Sequence, residues 1–140
     1  MFKQIIRLLT ISSVLFIAAC GGDSEGTAQT TAGTYTGTIT AAFGSDTLTG
    51  PVVLNVTGAN TVTGTVTLGT VPSSGLAYLL NVSGTVDGSG KVTATGTAGS
   101  PPQNYMSITA NIDVAKGVMA GTYKLELASP AATGVFSLVK

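Results

Sequence analysis

Histidine and tryptophan are absent from this 140-residue sequence, cysteine occurs once, and only 9% of the residues are charged. Without histidine there is no imidazole for a Ser-His-Asp triad. With one cysteine, neither a His/Cys zinc site nor an internal disulfide can form. Charge of one sign is missing too: six Lys and Arg balance six Asp and Glu. The chain therefore lacks the basic face with which a nucleic-acid binder displaces counterions from phosphates, and no nucleic-acid partner is expected. What is present is 19 Gly and 23 Thr within a 44% hydrophobic composition. That is too apolar for a disordered chain and too rich in Gly and Thr for a helical one. The length suits a single domain.

The first twenty residues are the most specific segment. Lys3 and Arg7 form a positive start, and residues 11–19 (ISSVLFIAA) form a short apolar run ending in small residues. From Leu8 to Ala19 a helix would span about 18 Å at 1.5 Å per residue. A bilayer core is about 30 Å thick, so a cleaved signal peptide over 1–19 fits better than a spanning helix. Ile17-Ala18-Ala19-Cys20 resembles the lipobox of bacterial lipoproteins. The resemblance implies that the Cys20 thiol carries an acyl chain such as palmitate, that the preceding peptide is removed, and that the new amino group is acylated. Each buried CH₂ contributes roughly 0.8 kcal/mol, so two or more chains hold where one holds only marginally.

Residues 20–32 have no apolar periodicity and read as a lipidated flexible tether. After removal of 1–19, four lysines face six acids, a net charge of about −2. No basic patch then remains for anionic headgroups, so the lipid on Cys20 is the expected membrane contact. Gly21 stands where an Asp would favour inner-membrane retention in enterobacterial lipoproteins. By that resemblance the anchor is expected in the outer membrane, or on the outer face of the plasma membrane in a host with one membrane.

From Gly33 onward polar and apolar residues alternate with period two, which sorts side chains onto the two faces of a strand. The pattern predicts an all-β domain over 33–140, with strands at about 33–41, 47–56, 61–68, 76–84, 91–98, 105–114, 117–127 and 132–140. Thr57-Gly-Ala-Asn60, Asp87-Gly-Ser-Gly90 and Lys116-Gly117 carry the chemistry of tight turns. Longer links contain Pro72 and Pro101-Pro102, while Pro51 is expected at a strand start or bulge. Short links favour an antiparallel meander of eight strands.

Gly37, Gly50, Gly64, Gly84, Gly96, Gly121 and Gly134 share the apolar face, where a sheet that coils sharply needs them. A closed or nearly closed barrel is therefore expected, with a two-sheet sandwich as the alternative. The domain resembles small up-and-down barrels of the calycin type, with Gly-x-Tyr at Gly33-Thr34-Tyr35 and at Gly121-Thr122-Tyr123. It departs from lipocalins and biotin binders in having no tryptophan, so no ligand residue transfers. A membrane-embedded barrel would reverse the faces. Eight Phe and Tyr residues are too few for two aromatic girdles, and Phe136-Ser-Leu-Val-Lys140 lacks the terminal aromatic of many such barrels.

No catalytic set assembles from the remaining residues. Asp113 and Glu126 fall on neighbouring strands but about 20 Å apart along them, too far for a glycosidase pair. Asp87 and Asp46 fit turns. Asp87-Gly-Ser-Gly90 lacks the further acids of a calcium loop. Lys91 and Lys124 should be solvated on the polar face, which leaves no Ser-Lys dyad. Rows of alternating Thr suit the exposed side of any strand. Neither a metal nor a cofactor is expected.

Two functions fit this reading. One is a non-catalytic envelope module that meets a protein partner through loops at 42–46, 69–75 and 98–104. The alternative is a carrier of a small apolar ligand inside the barrel, oriented by the hydroxyls of Tyr35, Tyr78 and Tyr123. In the absence of a ligand, Met106 and Met119 would plug the centre with those rings.

Overall fold

A computed structural model describes residues 30–69, 77–127 and 130–140. The signal segment, Cys20, most of the tether and the link over 70–76 lie outside the described residues. The alternation is realised as eight strands. These are β1 (Gly33–Phe43), β2 (Asp46–Val56), β3 (Thr61–Leu68), β4 (Tyr78–Val86), β5 (Lys91–Ala98), β6 (Gln103–Asp113), β7 (Val118–Leu125) and β8 (Ala132–Val139). Each pairs antiparallel with the next and β8 returns to β1, so the sheet is a closed barrel and not a sandwich.

The apolar face points inward. Ile39, Leu48, Leu54, Val66, Leu80, Ile108, Leu125 and Leu138 are each no more than 3% exposed, and no described polar or charged side chain is buried. The threonines of β1 and β3 look outward or lie at intermediate exposure. Thr suits that position because its branched side chain fits the pleat while its hydroxyl stays wet.

The inward glycines answer two needs. A Cβ built on Gly50 would coincide with the Thr67 carbonyl oxygen, so β3 can fold tightly across β2 only because that side chain is missing. Elsewhere the register sets a large residue beside a glycine: Leu54 with Gly64, Gly96 with Met106, Gly121 with Phe136, and Tyr123 with Gly134. These pairs let big side chains fill a narrow interior.

Pro51 lies inside β2, opposite Thr38, and not at a strand start. The physical reason is that β2 pairs with β3 only over Val52–Val56, so Pro51 stands one residue outside that ladder and its missing N–H costs no pair there. Another difference concerns the link at 42–46. β1 and β2 extend to Phe43 and Asp46, leaving Gly44-Ser45 as a two-residue turn with Gly44 at φ +64°.

A meander has two ends. Gly33, the turns 57–60, 87–90 and 114–117, and Lys140 gather at one, here the near end. Gly44-Ser45, the 99–102 link, the end of β3, the start of β4, the end of β7 and the start of β8 gather at the far end. At the near end Asn60 and Gly90 close equivalent four-residue turns at φ +61° and +83°. Their carbonyls, and that of Gly117, accept N–H bonds from Val86, Ile112 and Lys140 at 2.8–2.9 Å. Each near-end turn is thus stitched to the end of a later strand.

The barrel closes less regularly between β1 and β8. Their register is a single pair, Thr36↔Val139, whereas β1 and β2 pair along eleven residues from Gly33 to Phe43. Farther along this seam a side chain completes the closure. The Tyr123 hydroxyl of β7 donates to the Thr40 carbonyl of β1.

Candidate functional site

The three tyrosines do not converge. Tyr35, 0% exposed near the start of β1, donates its hydroxyl to the Thr31 carbonyl at 2.8 Å. Tyr123 is 2% exposed and lies toward the far end, with its hydroxyl on Thr40. Burial raises the pKa of both phenols, so both remain neutral donors at physiological pH. Tyr78, half-buried at the start of β4, packs against the core. Sequence periodicity found all three but could not tell that two hydroxyls hold backbone carbonyls.

Apolar side chains occupy the interior. Ile39, Val52, Leu54, Val66, Met106, Ile108, Tyr123 and Phe136 enclose a space of about 10 Å³. One water molecule needs about that much, together with several polar partners, and this lining is apolar. Met119, fully buried, and Met106 at 3% exposure help to fill the centre.

The candidate acids are far apart. Asp113 ends β6 at the near end, where its carboxylate pairs with Lys116 at 2.8 Å and accepts the Lys116 N–H. Those two contacts hold its pKa below the ordinary range. Glu126 follows β7 at the far end, donates its backbone N–H to the Tyr105 carbonyl, and pairs with Lys124 at 2.6 Å. Asp87 accepts the Ser89 hydroxyl and the N–H groups of Lys91 and Ser89, which lowers its pKa as a turn-capping carboxylate. Lys91 is exposed in the same turn region. Among the described residues, no three His, Cys, Asp or Glu side chains lie close enough to hold a metal ion. No described helix is long and apolar enough to cross a membrane.

Larger hollows lie on the outside. A groove of about 380 Å³ runs along β6, β7 and β8, bordered by Ser107, Thr109, Thr122, Lys124 and Thr133. Val135 stands at its side, 79% exposed, while Gly134 and Tyr123 complete the lining. A second hollow of about 160 Å³ shares Ser107 and adds Thr95, Asn104 and Glu126. Strand alternation marks these residues as outward but gives no sign of concavity, which arises only when the sheet coils. No family model matches the chain, and neither does any curated protein or any solved structure.

Proposed function

We propose that the chain is a non-catalytic envelope lipoprotein, anchored by acyl groups on Cys20 and presenting a small β-barrel to a protein partner. The supporting observation is the inequality of the two ends. The chain enters at Gly33 beside Lys140, whose ammonium donates to the Thr30 carbonyl at 3.2 Å, and every link at that end is a tight turn. A tether from Cys20 would therefore reach the barrel at its stitched end and leave the Gly44-Ser45 turn and the 99–102 link facing away from the membrane. Ten residues from Cys20 to Thr30 reach at most about 35 Å, which keeps the near end close to the bilayer. The outer membrane is the proposed location in a two-membrane host, and the outer face of the plasma membrane in a host with one. A calycin-like kinship fits the same up-and-down layout.

The apolar-carrier reading is less favoured. A guest would have to displace side chains from a space of about 10 Å³. The experiment for the lipoprotein reading is intact-mass measurement on the chain recovered from native membranes, beside Cys20→Ser. The expected result is a chain beginning at residue 20 with acyl mass on it, and release of the variant into the soluble fraction. An unacylated residue 20 in the membrane-bound protein would refute the reading.

A further inference from the structure

The alternating pattern opens the barrel at Gly33, yet the residues just before it are fastened to the barrel from two sides. From inside, Tyr35 of β1 is 0% exposed and donates its hydroxyl to the Thr31 carbonyl at 2.8 Å, so that carbonyl turns toward the near-end rim of the core. From outside, Lys140 lies across the same stretch. A Cβ built on Gly33 would coincide with its Cε and stand 3.0 Å from Cδ and 3.2 Å from Cγ, which lays the aliphatic stem flat on the Gly33 backbone. The stem ends with the ammonium on the Thr30 carbonyl at 3.2 Å. Thr31, Ala32 and Gly33 are accordingly half-buried. Gly33 has φ +150°, so glycine both leaves room for the stem and permits the turn into β1.

Lys140 is itself held in place. Its N–H donates to the Gly117 carbonyl at 2.8 Å, and it follows Val139, whose pairing with Thr36 is the whole backbone register between β8 and β1. The side chain therefore starts at the end of β8 and finishes on the segment that leads into β1, crossing the seam where the ladder is shortest. A long stem with a cationic tip suits this task, because its methylenes cover backbone while the ammonium stays wet. Either bond alone is weak. Together they hold two successive carbonyls, Thr30 and Thr31, by side chains from opposite sides of the seam, and so restrain the hinge that Gly33 would otherwise provide.

We propose that residues 30–33 and Lys140 form a latch that fixes the direction in which the chain from Cys20 leaves the barrel, so that a lipid anchor holds the near end toward the membrane. The directional part rests on the anchored reading above, whereas the latch itself needs no lipid. The first test is ¹⁵N relaxation on the full chain in detergent micelles. It compares the native sequence with Lys140→Met, which keeps the stem and removes the ammonium, with Tyr35→Phe, which keeps the ring and removes the hydroxyl, and with Lys140→Arg. Order parameters at residues 31–33 should be about 0.85 in the native chain and in Lys140→Arg, and below about 0.6 when Lys140→Met and Tyr35→Phe are combined. Lys140→Met alone changes an exposed residue and should lower the same values, which keeps the test valid should the combined variant fail to fold. The second test puts a fluorophore at Gly88→Cys of the near end or at Ser45→Cys of the far end, both exposed turn positions, on phosphatidylcholine vesicles with a headgroup quencher. Quenching in the native acylated chain should be severalfold stronger at the near end, and the ratio should fall toward one in the latch variants. Low order at residues 31–33 of the native chain, or order that survives in the combined variant, would overturn the latch. Equal quenching at both ends of a chain shown to be acylated would overturn its directional role. Absence of acyl mass on residue 20 would instead refute the anchored reading, with the relaxation results still deciding the latch.

Discussion

Removing the Tyr123 hydroxyl tests how the barrel is closed. Tyr123→Phe keeps the ring that fills the core, so the change leaves no cavity and deletes only the bond to the Thr40 carbonyl. A hydrogen bond of this kind contributes about 1 kcal/mol net, and a carbonyl left without a partner adds to the loss. The expected destabilisation is about 1–2 kcal/mol, or a fall in melting temperature on the order of 5 °C for a domain of this size. Urea and thermal unfolding give the total. Amide hydrogen exchange locates it, because the loss should speed exchange at Thr38–Ala42 of β1 and at the facing part of β8 more than in β4 and β5. A companion substitution sharpens the test. A Cβ at Gly134 would lie 2.5 Å from the Tyr123 hydroxyl and 2.7 Å from Cζ. Gly134→Ala should therefore displace the ring and break the same bond, so that the double variant costs less than the sum of the singles. Stability within about 0.3 kcal/mol of the parent for Tyr123→Phe, or exchange that rises evenly around the barrel, would refute the view that this side chain fastens the seam.

Other outcomes follow from the same geometry. Gly50→Ala sets a Cβ onto the Thr67 carbonyl of the neighbouring backbone and should cost more than about 3 kcal/mol or prevent folding, read by urea denaturation. Gly58→Ala meets nothing within 4 Å and should be neutral or slightly stabilising in the same assay. Asp87 and Asp113 have lowered pKa values, so what they contribute is present above the unfolded carboxylate range and is lost as pH falls through their folded values. Asp87→Asn/Asp113→Asn should lower stability in the neutral region, leave it nearly unchanged at acid pH, and so flatten the acid limb of a stability–pH curve. An apolar fluorescent probe titrated into the native protein should show no saturable binding to the interior. Saturable binding lost on filling the centre would restore the carrier reading.

Strand number, order and inward face were legible because they depend on local alternation and short links, both written residue by residue. Thr61–Leu68 and Lys91–Ala98 match their predicted spans to the residue. Ends were harder to read, since chain continuity alone does not say how far pairing runs past a turn. β1 reaches Phe43 and β4 reaches Val86, each two residues beyond the alternation. The inward glycines were found, but their purpose was only half visible. Bending at Gly50 fits the expectation, whereas Gly134 is there so that Tyr123 can pass beneath β8 to reach β1. A signal for this did exist: once the β7–β8 register is drawn, the largest inward residue of β7 faces a glycine. Reading it needs two strands aligned together, and the reach to Thr40 needs a third. The exterior groove stayed hidden for a related reason, because it requires the sixth, seventh and eighth strands to coil side by side.

The distribution of fixed and loose structure also bears on where a partner could act. Apolar side chains occupy the interior, and the two most buried phenols donate to carbonyls of their own chain. At the near end, Asn60, Gly90 and Gly117 each accept a bond from the end of a later strand, so that opening one turn strains another pair of strands. This repeated stitching makes the near end cooperative and poorly suited to reshaping on contact. Nothing equivalent ties the Gly44-Ser45 turn or the 99–102 link to another strand among the bonds of the described residues. Adaptable contact is therefore easiest at the Gly44-Ser45 turn and the 99–102 link. Rigid contact is easiest on the side walls, whose backbone is held by the ladders. The barrel thus separates a stitched end from an end with looser turns, and each can be altered by substitutions that leave the shared core untouched.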